Sequence, residues 1–104
     1  MILLHISCNS HEQANSIVDF LIDEKLMIDA LVSDSMLFKQ LNLGKKESLH
    51  QVLIMGTTKA LLFKLITQKI KAKYPDNMPL IYATPIVYME EEQTKHLQDE
   101  LKKV

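Results

Sequence analysis

The side chains that could bind a metal ion are few and widely spaced in this sequence. Helical metal sites usually pair two histidines four residues apart, and thiolate sites use closely spaced cysteines. The histidines follow no such pattern, and there is only one cysteine. We therefore interpret most of the histidines as separate surface or strand residues and single out His50, which lies on a predicted strand. The full set is His5, His11, His50 and His96.

The predicted surroundings of Cys8 and Asp29 determine whether either side chain could react or bind a ligand. Cys8 follows the first predicted strand and precedes a helix, whose N-terminus favours a thiolate. The simpler interpretation, which we favour, is a small unreactive residue. Asp29 lies in an apolar-rich stretch, where a bare buried carboxylate is costly. We expect Asp29 to form a structural or interface pair, with the binding of a hard cation as the alternative.

No combination of residues indicates catalysis. Enzyme sites bring a nucleophile close to a base, or two carboxylates close to each other, and the sequence suggests neither arrangement. Gly44, Lys45 and Lys46 lack the further glycines of a phosphate-binding loop. We therefore predict a protein that is not an enzyme.

Composition and charge indicate which kinds of protein this chain could be and which it could not. The 104 residues suffice for one domain with its own core, residues 1–104. Twelve basic and thirteen acidic residues give a net charge of −1, which does not favour binding to the phosphate backbone of a nucleic acid. The lysines at positions 69, 71 and 73 are not interleaved with the aromatic residues on which bases stack. We therefore expect no nucleic-acid partner. A single cysteine fits a reducing, cytoplasmic environment. The apolar runs are too short to span a bilayer, and the first residues do not resemble a signal peptide.

The elements that must position these residues follow from the hydrophobic pattern. Strict alternation predicts strands, and apolar residues at helical spacing predict amphipathic helices. Ser10 and Gln13 form a capping box for the first helix, Thr57 or Thr58 caps the second, and Gly56 ends the strand before it. The predicted elements are a strand from Ile2 to Ser7, a helix from Ser10 to near Lys25, β structure from Met27 to Leu43 with a kink at Ser33 to Ser35, a strand from Leu49 to Met55, a helix ending at Lys73, a strand from Leu80 to Val87, and a short C-terminal helix.

This order predicts an α+β, ferredoxin-like βαββαβ sandwich with a C-terminal helix. Pro85 cannot donate a ladder hydrogen bond, so the last strand should be an edge strand. Two helices cover only one face of such a sheet, yet several strands are apolar on both faces, with Leu3 beside Leu4 and Leu53 beside Ile54. An uncovered apolar face of this size predicts self-association.

Several short motifs, in order and at consistent spacing, resemble the CutA divalent-cation tolerance family. Gly56-Thr57-Thr58-Lys59, the prolines near Tyr74 and Thr84-Pro85-Ile86-Val87 resemble its second half. Upstream, Glu24-Lys25-Leu26 and Gly44-Lys45 resemble its first-helix end and its hairpin turn. The chain departs from the family where Asp29, Tyr74 and Asp76 replace the usual cysteine, histidine and tyrosine.

The resemblance implies a compact homotrimer whose three sheets face inward and whose strand edges pair between subunits. It also implies a non-catalytic role in tolerance of divalent metal ions such as copper. On this basis we expect His50, Asp29 and Asp76 as metal ligands and Cys8, Lys45 and Tyr74 as residues of the cleft between subunits. The alternative is a PII-like signalling trimer that binds a small anionic metabolite in the same cleft.

Overall fold

One antiparallel sheet with helices on a single face organises the chain, and the computed structural model describes all 104 residues. The strands lie in the order β2-β3-β1-β4, so β4 is an edge strand as predicted from Pro85. This confirms the ferredoxin-like α+β fold. The elements are β1 Ile2–Cys8, α1 His11–Asp23, β2 Leu31–Asn42, β3 Lys45–Thr58, a 3-10 turn Ala60–Leu62, α2 Phe63–Lys73, β4 Leu80–Pro85 and α3 Glu91–Glu100.

The core lies between the sheet and the helices because each strand alternates its side chains. Leu4 and Ile6 point from β1 towards the helices, and β3 contributes Val52 and Ile54 on the same side. Apolar stripes of α1 and α2 pack against them, as the helical spacing predicted. The buried residues of the two stripes are Ala14, Ile17, Leu21, Ile66 and Ile70.

Helix α1 begins as predicted, with one change in its cap. The Ser10 hydroxyl accepts a hydrogen bond from the Gln13 amide at 3.1 Å. The Gln13 side chain does not return to Ser10; its Oε1 accepts from the backbone N–H of Asn9 at 2.8 Å. The first bond satisfies an amide that the helix leaves free, and the second fixes the loop residue before the cap to the helix. The helix ends at Asp23, and Lys25 reverses the chain with a φ of 58°.

The end of β3 and the start of α2 differ from the prediction. Strand β3 continues past Gly56 because Thr57 and Thr58 still pair with Leu3 and Ile2 of β1. Neither threonine caps a helix. Helix α2 starts after the 3-10 turn and has no side-chain cap. The buried Thr58 hydroxyl instead donates to the Leu26 carbonyl at 2.7 Å, which ties β3 to the segment after α1.

We expect Thr58→Val to lower the free energy of unfolding by about 1–2 kcal/mol, because it leaves the buried Leu26 carbonyl without its donor. Urea denaturation measures the change. The matched control is Thr94→Val on α3, whose hydroxyl also donates to a backbone carbonyl, that of Glu90, but in a bond exposed to solvent, and the expected change is close to zero. Equal losses for the two variants would show that the Thr58 hydrogen bond contributes nothing.

Strand β2 also starts later than predicted. It begins at Leu31, while Met27 is buried in the core and Asp29 lies in the connecting segment. The predicted kink is confirmed as a shift of register between Val32 and Ser35. Leu43 and Gly44 form the turn between β2 and β3, with φ values of 51° and 79°.

The face of the sheet opposite the helices carries no covering element. Leu3, Leu53 and Met55 are half-buried on this face, and Leu31 and Tyr82 are 69% and 46% exposed. We call this surface the open face. Helix α3 lies on the opposite side, where its Leu97 and the following residue Leu101 join the core. None of the helices is long and apolar enough to cross a membrane.

Candidate functional site

The fold separates two of the predicted metal ligands, His50 and Asp29, which lie towards opposite ends of the region where β3 pairs with β1. His50 pairs with Leu37, two residues beyond the Val52–Cys8 pair at which β1 ends. The Asp29 backbone lies beside Gly56, at the other end of the region where β3 pairs with β1. Six residues of β3 separate these positions, or about 20 Å at the usual strand rise. One subunit therefore does not bring His50 and Asp29 to a common site.

Within the chain, the acidic, histidine and cysteine side chains form no group of three that could hold a metal ion. His50, Asp29 and Asp76 are all exposed. A divalent ion usually needs at least three protein ligands for tight binding. The residues present in one chain do not fit a complete metal site, and a site that uses them needs a second copy of the chain.

Asp76 and Tyr74 lie at the corner between α2 and β4, which packs near the end of β1. The Tyr74 hydroxyl donates to Ser16 Oγ at 3.1 Å and fixes the corner to α1. Asn77 accepts two further hydrogen bonds, from Asn9 Nδ2 to its side chain at 2.7 Å and from Gln13 Nε2 to its carbonyl at 2.8 Å. The corner and the loop after β1 are therefore held together.

The same network extends to β3. Gln51 Nε2 donates to Asn9 Oδ1 at 3.2 Å, and Ser7 Oγ donates to Gln51 Oε1 at 3.1 Å. Gln51 is the neighbour of His50 along the strand. Because the amides bond mainly to one another, their role is to position the backbone. They hold the His50 strand, the loop after β1 and the Asp76 corner at one end of the sheet.

Lys45 stands apart from this network. It pairs with Asn42 beside the hairpin turn and is exposed. Five residues of β3 separate it from His50, about 17 Å along the strand. The fold of the chain does not place Lys45 beside the Asp76 corner.

The expected cleft position of Cys8 needs correction. Its side chain is fully buried within the core, on the helix-covered face of β1. Burial raises the pKa of the Cys8 thiol from 9.0 to about 12, because the low-dielectric core disfavours the charged form. Its Sγ contacts the Ile6 carbonyl at 3.8 Å. Cys8 is therefore a neutral core residue, and its side chain has no exposed surface that a ligand could contact.

We expect the folded protein to resist alkylation by iodoacetamide at about pH 8, since only the thiolate reacts. The urea-unfolded chain should react at least about 1000-fold faster, because its thiol is exposed and titrates normally. Mass spectrometry of timed samples measures both rates. Rapid labelling of the folded protein would contradict the buried position of Cys8.

The free energy of unfolding should also fall as the pH rises from 9.0 towards about 12. In this range the unfolded chain loses the thiol proton that the folded chain keeps.

The surroundings of Asp29 show a neighbour that the sequence did not suggest. Asp29 borders an apolar cavity of about 430 Å³ beside Leu3 and Met55 on the open face. It also borders a smaller depression of about 140 Å³ with His96 of α3. His96 lies too far along the chain from Asp29 for spacing to reveal that both residues line this depression. The amides of Asn9, Gln51 and Asn77 carried no signal either, because each bonds to distant residues.

Comparison with known proteins identifies the group to which this architecture belongs. A sequence model described as the CutA1 divalent ion tolerance protein matches residues 2–100. No curated protein matches the chain in sequence.

Solved structures agree with the match. A variant of CutA1 from Pyrococcus horikoshii OT3 has 25% sequence identity and a TM-score of 0.89, with 99% of this chain and all of that chain covered (100%). CutA1 from Oryza sativa superposes with a TM-score of 0.91 at 18% identity, covering 99% and 94% of the two chains. The protein described as periplasmic divalent cation tolerance protein CutA from Archaeoglobus fulgidus gives 0.89 at 21% identity, covering 98% and 100%. The family match spans nearly the whole chain, and this chain therefore belongs to the CutA1 divalent ion tolerance family.

Proposed function

We propose that the protein is a non-catalytic homotrimer that acts in the cytoplasm in the response to divalent metal ions, copper among them. The observation that carries this proposal is the open apolar face. Large uncovered apolar surfaces on a folded chain mark association sites. The lone thiol supports a non-catalytic role, since Cys8 is buried and protonated.

Self-association is supported by the edges of the sheet as well as by its face. Strands β2 and β4 each pair on one side only, so each presents unpaired backbone groups. Exposed edges favour pairing with another chain. Contacts between two different surfaces of identical chains close into rings when the rotation permits. Three copies joined in this way would cover both edges and the open face.

A ring of this kind also accounts for the separated ligands. In a head-to-tail contact, one end of a subunit meets the other end of its neighbour. The proposed metal site therefore combines His50 and Asp76 of one subunit with Asp29 of the next. Tyr74 and Lys45 belong to the same cleft, the first beside Asp76 and the second on the hairpin that reaches towards the neighbour. Imidazole and carboxylate ligands suit several divalent ions, copper and zinc included.

Calorimetric titration with Cu²⁺ tests the site. We expect His50→Ala and Asp29→Asn to weaken binding by more than about tenfold, since even residues that only hydrogen-bond to metal ligands contribute that much. The matched control is His11→Ala, an exposed histidine at the start of α1, which should bind as the unmodified protein does. Unchanged binding in both site variants would rule out this ligand set.

A PII-like signalling role is the second candidate, and the β2–β3 hairpin favours it. Strand β1 ends at Cys8, opposite Val52, while β2 and β3 continue to the turn at Leu43. The exposed hairpin is available to change conformation when a small anion binds. Hydrogen exchange of Ser33 to Lys46 with and without ATP separates the two candidates. Protection by ATP would favour signalling, and protection by Cu²⁺ alone would favour the metal response.

A further inference from the structure

A stacked pair of rings lies at the centre of the open face. His5 is the middle residue of β1, and it pairs with Met55 of β3 on one side and with Tyr82 of β4 on the other. The rings of His5 and Tyr82 stack with centroids 4.8 Å apart and planes inclined by 7°. A histidine therefore occupies the middle of the apolar surface that the proposed self-association would cover.

The surroundings of His5 contain no charge that would compensate a proton. On this face its neighbours along β1 are Leu3 and Ser7, and its cross-strand neighbours are Met55 and Tyr82. Tyr82 is the only other titratable side chain among them. Further groups lie at the borders of the face: Asp29 at the rim of the cavity beside Leu3, and Glu47 and Lys45 towards the hairpin turn.

The His5 ring nitrogens are open to water in the separate chain, since they make no side-chain hydrogen bond within it and are not fully buried. The side chain is half-buried, and no buried side-chain nitrogen or oxygen of the subunit lacks a hydrogen-bond partner. In the separate subunit an imidazolium would be solvated at its edge and would also interact favourably with the Tyr82 ring. Covering the face removes this water. A neutral imidazole tolerates that change with one hydrogen bond, whereas a charged imidazolium does not.

We infer that His5 makes assembly through the open face sensitive to pH: the subunits associate when His5 is neutral and separate when it is protonated. This inference rests on the self-association proposed above and adds its regulation. Histidine side chains change charge between about pH 5 and about pH 8. If each of three subunits must release one proton to assemble, the association constant falls by about 1000-fold for each pH unit on the acidic side of the titration.

Sedimentation velocity over a dilution series, from about pH 8 to about pH 5, tests the inference across the titration range of histidine. The variants are His5→Phe, which keeps an aromatic ring against Tyr82, and His5→Leu, which keeps an apolar side chain without a ring. The matched control is His11→Gln, at an exposed position on α1. Circular dichroism at each pH establishes that the chains remain folded.

We expect the unmodified protein and the His11 control to separate into single folded chains at the acidic end, while both His5 variants stay assembled. An unmodified protein that stays assembled throughout would overturn the pH dependence and leave the proposed self-association intact. Separation of the His5 variants at the same pH as the unmodified protein would assign the effect to another group and also overturn it. A single chain at about pH 8 would overturn both proposals.

Discussion

Gly56→Ala is expected to lower the free energy of unfolding by about 3 kcal/mol, at the upper end of the usual cost of overpacking a core. An added Cβ would lie 2.8 Å from both Cε and Sδ of Met27 and 2.9 Å from the backbone oxygen of Asp29. The Met27 side chain is fully buried in the core, so its displacement would disturb its packed neighbours. The Asp29 oxygen belongs to the backbone, so relief there requires the segment before β2 to move.

Urea denaturation at a fixed protein concentration measures this loss, because a self-associating chain has a stability that depends on concentration. Gly44→Ala is the control. Gly44 also departs from ordinary backbone geometry, with a φ of 79°, but a Cβ there would meet nothing within 4 Å. Its expected cost is about 1 kcal/mol, from left-handed strain alone. A smaller loss for Gly56→Ala than for Gly44→Ala would show that the contact with Met27 and Asp29 is not tight.

Leu53→Glu is expected to separate the proposed trimer into single chains. Leu53 is half-buried on the open face of β3, so a carboxylate there is solvated in the single chain and buried in the assembly. Burial costs several kcal/mol per ion, and a trimer would contain three. Since about 1.4 kcal/mol is a factor of ten in an equilibrium constant, we expect the association constant to fall by more than about 1000-fold.

Light scattering coupled to gel filtration measures the mass of each variant. The control is Leu61→Glu, since Leu61 is 76% exposed and lies in the 3-10 turn away from the open face. The control should keep the mass of the unmodified protein. The separated Leu53→Glu chains should also lose their affinity for Cu²⁺, because one subunit does not hold a complete set of ligands. An assembled Leu53→Glu protein would place the interface elsewhere.

Hydrophobic periodicity predicted the order of elements because the core of this fold alternates regularly. Leu4 and Ile6 on β1 and the stripe that includes Ile17 and Leu21 on α1 follow the periods of a strand and a helix. The edge position of β4 followed from Pro85. Each of these features depends on residues that lie close together in the sequence, so the sequence alone predicts them.

The errors arose where a residue serves a distant contact. Gly56 was interpreted as the end of a strand, whereas the structure uses its missing side chain to admit Met27 and Asp29. Thr58 was interpreted as a helix cap, whereas its hydroxyl bonds to Leu26, 32 residues away. A glycine or threonine before a helix has the same local signature in either role. Only the packing of the segment after α1 distinguishes them.

The candidate site was less predictable than the fold. The first strand was predicted to end at Ser7, with Cys8 after it, whereas β1 extends to Cys8 and places the thiol on the same buried face as Leu4 and Ile6. The separation of His50 from Asp29 depended on the register of β3. Whether His50 and Asp29 meet in an assembly depends on how a second copy of the chain contacts the first. No local pattern in the sequence encodes that contact.

Native mass spectrometry of tag-free protein with Cu²⁺ measures whether assembly creates the metal site. We expect a species of three 12.0 kDa chains that retains bound copper, and single chains that retain none. Leu53→Glu should shift the population to the single, metal-free chain. Single 12.0 kDa chains that hold copper as firmly as any assembly would rule out a site formed between chains, because one chain alone would then contain it.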